Sequence, residues 1–291
     1  MGKRLIIGLL MFFLPIFAFA QGVGGQVRRP VKKQLESNTA SIKKKQTQKK
    51  ESERKSSKPS SESIIQRLIN NMVFVEGGTF IMGATREQGG GVLEYTSKPV
   101  HHVKLSSFYI GKYEVTQEEW ITVMGNNPSK FKGLKFPVNR VSMNDCLIFI
   151  SKINKLTRKK FRLPTEAEWK YAARGGNRSK GYRYAGSNTI NDVAWYDKNS
   201  NKPHEVGQLA ANELGLYDMS GNVAEWCGDW YDTYSSTSQT NPTGPMSGNG
   251  YVLRGSSWFT FEDEARVSAR RCESQNSRCS YNGFRIVMID D

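Results

Sequence analysis

The chain has 291 residues, 42 of them Lys or Arg against 27 Asp or Glu, for a net charge of +15 at pH 7. The charge is unevenly placed: thirteen Lys or Arg and four Glu between residues 21 and 67 give that segment +9, Lys3 and Arg4 add two, and +4 remains for residues 68–291. The high isoelectric point is therefore a property of the amino-terminal tail, and it does not mark the rest of the chain as a nucleic-acid-binding surface.

Lys3 and Arg4 precede an apolar run from Leu5 to Phe19, which closes on Ala18-Phe19-Ala20 before Gln21. This pattern predicts a signal peptide over residues 1–20 with an A-x-A cleavage site. A membrane anchor is the other reading of such a run, but it is shorter than ~18 residues and contains Pro15. No cysteine follows the cleavage site to carry a lipid. The expected location is extracytoplasmic, either periplasmic or secreted, with no transmembrane span.

Residues 21–68 are rich in Lys, Arg, Ser, Gln and Thr and have few large aliphatics. Such a composition buries too little apolar surface to offset its ordering entropy, so it reads as a disordered basic linker. Its charge suits a solvated tether or electrostatic contact with the cell envelope. Nucleic acid is excluded as a partner by export and by the lack of aromatic residues among the charges.

Residues 69–291 are long enough for one large core. Met72–Val75 and Thr79–Gly83 read as short strands about a Gly77-Gly78 turn, and residues 100–110 as another strand. Three capping boxes follow: Thr116 with Glu119, Ser142 with Asp145, and Thr165 with Glu168. They predict helices to about Met124, to about Leu156 and to Gly175-Gly176. His101 and His102, adjacent in a strand, point to opposite faces and cannot chelate together. From Gly176 to Gly250 regular periodicity fades, which predicts functional loops held by metal ions or disulfides. Tyr251–Arg254 and Phe284–Met288 read as closing strands. The class is α+β, low in regular secondary structure.

Cys146, Cys227, Cys272 and Cys279 are the only cysteines. In an oxidising compartment they allow two disulfides. Cys146 has helical spacing and also suits a buried free thiol.

The run Arg162-Leu163-Pro164-Thr165-Glu166-Ala167-Glu168-Trp169 through Arg174-Gly175-Gly176 resembles the signature of the formylglycine-generating enzyme (sulfatase-modifying factor) family. Gly77–Gly83, Glu114-Val115-Thr116, Gly215–Trp226 and Asn282-Gly283-Phe284-Arg285 fit the same family in the same order. The resemblance implies a C-type-lectin-like fold, often held by calcium. It leaves the activity open, because the family includes copper-dependent oxidases of a sulfatase cysteine, iron enzymes and members that only bind or scaffold.

The family's two oxidase thiolates follow a Gly-Gly-Ser-aromatic run. In this chain that run is Gly255-Ser256-Ser257-Trp258, which puts Thr260 and Ala265 at the two places. Neither side chain can hold Cu(I), which favours soft thiolate ligands. Cys272 and Cys279 lie downstream, and a structural disulfide between them is the first expectation. Free thiols are the second and a displaced copper site the third, so copper is not an expected cofactor. His101, His102 and His204 do not make the spaced triad of the iron branch. For calcium, the family's ligand set falls on Asp218, Gly221, Val223 and Glu225, whose hard oxygens suit a structural ion. The other reading is that Glu225 only caps loop backbone.

Trp195, Trp226, Trp230 and Trp258 are the candidate walls of a ligand groove, although aromatics also fill cores in domains short of sheet and helix. The function expected is an exported non-oxidase binding or accessory protein recognising a peptide, protein or glycan. The alternative is a formylglycine-generating oxidase acting through an altered thiol site.

Overall fold

The computed structural model describes residues 43–44, 59–86, 88 and 94–289, and one folded unit begins at Pro59. The expected signal peptide lies outside the described residues, as does the linker up to residue 58 apart from Lys43 and Lys44.

The linker boundary at residue 68 does not hold. Residues Ser61–Asn70 form helix α1, capped by Ser60 Oγ, which accepts from Ser63 N at 3.1 Å. Ile64 and Leu68 are buried, and Leu68 joins the main core. Their i,i+4 spacing places both on one helix face, a short apolar stripe inside a charged, Ser-rich segment. Among the described residues no helix is long and apolar enough to cross a membrane.

Three small sheets carry the rest. In the first, β1 (Met72–Val75), β4 (Phe108–Gly111), β11 (Val287–Ile289) and β5 (Lys160–Arg162) lie in the order β1-β4-β11-β5, all antiparallel. The second joins β2 (Gly78–Met82), β3 (His101–Leu105) and β7 (Gln239–Thr240). The third runs β10-β6-β8-β9, from β10 (Asn282–Gly283) through β6 (Ala224–Trp230) and β8 (Tyr251–Arg254) to β9 (Arg270–Glu273).

The single strand expected over residues 100–110 is two strands in different sheets, broken at Ser106-Ser107. Gly77 packs on this break, where a Cβ would stand 2.5 Å from the Leu105 carbonyl oxygen. Within β3 the alternation is strict. His101, Val103 and Leu105 are buried while His102 and Lys104 are exposed, so the two histidines do face opposite ways.

All three capping boxes form. Thr116 Oγ1, Ser142 Oγ and Thr165 Oγ1 accept from the third residue of their helices, and Glu119, Asp145 and Glu168 reach back to the cap N–H at 2.8–2.9 Å. They begin α2 (Gln117–Met124), α3 (Met143–Thr157) and α4 (Glu166–Ala173). Cys146, Phe149, Ile150 and Ile153 form the inner face of α3, and the Phe149 ring stacks on Trp120 at 5.4 Å.

Between Gly176 and Gly250 lie the single turn α5 (Ile190–Val193), β6 and β7. The expected disulfides are not present: all four cysteines are free. Buried ion pairs and carbonyl clamps hold this half together. Glu225 and Arg285, both fully buried, pair at 2.6 Å, and Glu166 pairs with Arg270 at 2.7 Å. Arg254, also buried, donates to the carbonyls of Val267, Ser268 and Ala269. Arginine suits this role because its planar fork serves several acceptors at once.

Candidate functional site: the cleft beside Thr260

Gly255 and Ser256 take φ values of +87° and +70°, which swing the chain after β8 into a tight loop. At its end Thr260 is 5% exposed. Its Oγ1 accepts from Ser257 N at 2.9 Å, donates to Ser257 O at 3.0 Å and pairs with Ser256 Oγ. Ala265 is fully buried in a small apolar cluster with Tyr184, Ile190 and Tyr196. One of the two thiolate places is thus a closed hydroxyl network, and the other is a methyl group in a core.

A cavity of about 290 Å³ lies against Thr260, with Tyr95, Tyr231, Tyr281, Arg271 and Cys272 among its walls. Asn282, fully buried, shares its sheet face with Ala224 and Leu253, which also line the cavity, and neither of its amide atoms has a hydrogen-bond partner among the described residues. Cys272 is exposed on β9, while Cys279 is half-buried with Sγ 3.3 Å from Ser277 Oγ. The structure therefore corrects the first expectation for this pair: the two are not bonded. Burial and the neighbouring Glu273 carboxylate push the Cys272 thiol up, which favours the protonated form over the thiolate that copper needs.

The four tryptophans do not form a groove. Trp226 is fully buried and donates Nε1–H to Val141 O at 3.0 Å. Trp258 is 8% exposed, edge-on to Phe131. Trp195 stacks on His204 at 3.8 Å, and Trp230 stacks on Tyr251 at 3.9 Å and lines a different cavity. With so little sheet to cover, large rings fill the interior. The cleft's aromatics are tyrosines, and Phe259, 60% exposed, stacks on Tyr281 beside it. The visible signal for this surface is Trp258-Phe259-Thr260-Phe261, where Phe259 and Phe261 alternate with the buried Trp258 and Thr260. Nothing in the sequence marks Tyr95.

A family model described as a sulfatase-modifying factor enzyme 1-like domain matches residues 57–289. The chain belongs to this family. It is 34% identical over 269 residues to the Chaperone protein LppX of Paenibacillus barcinonensis, covering 75% of this chain and 89% of that one. It is 28% identical over 296 residues to the formylglycine-generating enzyme of Thermomonospora curvata, covering 76% and 94% respectively. Among solved structures it is similar to Treponema denticola variable protein 1, with TM-score 0.68, 33% identity, and coverage of 75% of this chain and 94% of that one. The fold is accordingly the α+β, C-type-lectin-like fold of the sulfatase-modifying-factor family.

The calcium ligands expected from the resemblance lie in the loop from Asp218 to Glu225. Here Asp218 has φ +57° and its Oδ2 accepts from Gly207 N at 2.7 Å. Gly221 has φ +82° and packs so closely that a Cβ would lie 2.3 Å from Trp195 O. Both Glu225 oxygens are engaged, Oε2 by Trp169 Nε1 and Arg285 Nε and Oε1 by Arg285 Nη2, each at 2.6 Å. No three His, Cys, Asp or Glu side chains among the described residues stand in metal-holding geometry. The charge balance nevertheless fits a cation. Glu114, Asp218 and Glu225 are all buried, and Arg285 is the nearby guanidinium. Burial, then the charges of Asp218 and Glu225, push the Glu114 carboxyl well up. Asp218 with the carbonyls of Gly221 and Val223 would hold a hard ion, which would supply charge and rigidity to the loop.

Proposed function

We propose that this protein is an exported, non-oxidase member of its family that binds a peptide segment of a partner in the cleft beside Thr260. The carrying observation is the pairing of Thr260 and Ala265, each committed to its own packing, with a cleft walled by Tyr95, Tyr231, Tyr281 and Arg271. Tyrosine offers large, rigid, amphipathic contact area, and the unpaired Asn282 amide has one donor edge and one acceptor edge, as a peptide bond does. The exposed Phe259, stacked on Tyr281, extends the apolar surface beside the cleft. Similarity to a protein named a chaperone and to one named a variable protein supports binding over oxidation. The same reading includes a structural calcium ion at Asp218.

A second reading is favoured by one observation, the free Cys272 thiol in the cleft. It makes the protein a formylglycine-generating oxidase with a displaced thiol. Incubating the purified chain with Cu(I) and a cysteine-containing sulfatase-motif peptide, followed by mass spectrometry, separates the two. We expect no formylglycine. Its formation by the native chain and loss on Cys272→Ala would replace the first reading with the second. For the binding reading, peptides selected from a display library should bind saturably and weaken at least tenfold on Tyr281→Ala.

A further inference from the structure

A second cavity, of about 340 Å³, shares Arg270 with the first as a wall and lies between the start of α4 and the loop that follows β7. Its wall includes Asp229, Trp230, Asp232, Thr243 and Pro245. The β6–β8 register shifts between Trp226 and Trp230, and such a bulge turns Asp229 out of the regular ladder. Gly244, at φ +73°, closes on it, where a Cβ would stand 2.9 Å from the Asp229 Cβ.

Asp229 is 5% exposed and forms no ion pair among the described residues. Its Oδ2 accepts from Glu166 N at 2.9 Å. The cations near it are committed elsewhere. Arg270 holds both oxygens of Glu166 and the carbonyls of Thr96 and Asp232, Arg254 holds its three carbonyls, and Lys170 donates to Gly83 O. A buried carboxylate without a counter-charge beside a cavity is costly in its charged form.

We propose that this pocket binds a primary ammonium group of the kind a lysine side chain carries in a peptide or protein. With Oδ2 engaged, Asp229 offers Oδ1 as its remaining acceptor. One oxygen suits a compact point charge, whereas a guanidinium fork seeks both oxygens of a carboxylate. Ser235 and Thr243 hydroxyls in the same wall can accept the ammonium's other protons, and Trp230, Pro242 and Pro245 can flank its methylene stem. Asp232, exposed at the mouth, adds attraction.

The groups facing Asp229 are Glu166 and Glu168 from α4, Arg270 from β9, His101 from β3, and Asp232 and Tyr234 from the loop after β6. Burial, then Glu166, push the Asp229 carboxyl up to about 8. Burial keeps His101 below its ordinary value, so it does not compete as a cation at neutral pH. In the empty pocket Asp229 therefore holds a proton that an arriving ammonium displaces.

The test is calorimetric titration of the full chain with Nα-acetyl-lysine methylamide, using the Nε-acetylated compound as the uncharged control. We expect saturable binding at pH 8.5, roughly tenfold weaker for each pH unit below 8, with close to one proton released to the buffer per site at pH 6.5. The control compound should not bind. Asp229→Asn, which keeps an oxygen for Glu166 N, should remain folded by circular dichroism and lose the binding. Absence of binding by the native chain, equal binding of the acetylated compound, pH-independent affinity without proton release, or undiminished binding by a folded Asp229→Asn would each overturn the proposal. The first three are read on the native chain and stand even if the variant fails to fold.

Discussion

Glu166 lies in the fork of Arg270, with Nε to Oε1 and Nη2 to Oε2 both at 2.7 Å and neither side chain more than 5% exposed. The pair ties the first turn of α4 to β9, and the rings of Tyr231 and Tyr234 lie 4.3 and 4.1 Å from the guanidinium carbon. Deleting one partner leaves the other charge buried and unmatched, which costs about 3–5 kcal/mol. Arg270→Ala should therefore lower the unfolding free energy by that order in a urea titration. A loss under about 1 kcal/mol would mean that water reaches the pair.

The pH dependence of the same pair follows from its direction. Burial alone raises the Glu166 carboxyl, but Arg270 and Arg254 outweigh it and hold the group below its ordinary value. A carboxyl that is lower when folded contributes stability above its unfolded pKa, about 4.3, and loses it as pH falls through the folded value. Native protein and Glu166→Gln should thus differ most in stability above about pH 5 and converge in acid, as denaturant midpoints across that range would reveal.

Trp226 and Phe259 make a matched pair of tests for which aromatics are core and which are surface. Trp226 is fully buried in the core, so Trp226→Ala should cost about 3–5 kcal/mol. Phe259 is 60% exposed, and Phe259→Ala should change stability by no more than about 0.5 kcal/mol. A reversed order would return Trp226 to the ligand-groove candidates.

Much of the fold was legible in the sequence because its signals are local. A capping box is four residues long, and Thr116, Ser142 and Thr165 each begin the helix they announce. What was not legible depends on partners far away in the chain. Asp229 becomes interesting only because Glu166, 63 residues earlier, donates to it. β6 carries no alternating pattern because successive residues from Ala224 to Cys227 are all buried, so both of its faces are covered. The α1 helix leaves little trace in the sequence because its buried stripe is only Ile64 and Leu68 within a polar segment. The tryptophans do not declare their burial in the sequence, because large rings in a loop-rich region give the same composition whether they face inward or outward.

The free thiols give a direct chemical test. Cys272 is exposed, Cys279 half-buried, and Cys146 and Cys227 fully buried, with burial pushing the last two thiols well up. A thiol reagent should modify Cys272 first and Cys279 more slowly in the native protein, and reach Cys146 and Cys227 only in denaturant. The thermal midpoint should not respond to reductant. A fall in the midpoint with dithiothreitol would reveal a disulfide and restore the first expectation for Cys272 and Cys279.

Calcium should stabilise the protein through the loop at Asp218. An ion bound a hundredfold above its dissociation constant adds about 2.7 kcal/mol. For a folded unit of this size each kcal/mol moves the midpoint by about 2–4 °C, so the expected rise is roughly 5–10 °C, reversed by a chelator. Asp218→Ala removes the side-chain oxygen and should abolish the shift. Asp218→Asn separates ligation from charge. Burial pushes the Asp218 carboxyl up to about 6, so a neutral amide should make the metal-free protein more stable while it still offers an oxygen to the ion and to Gly207 N. The calcium shift should then be smaller than in the native protein but present. An unchanged midpoint in native protein with and without calcium would take the ion from this loop and leave Glu225 to its side-chain partners Arg285 and Trp169, in place of the loop backbone it was expected to cap.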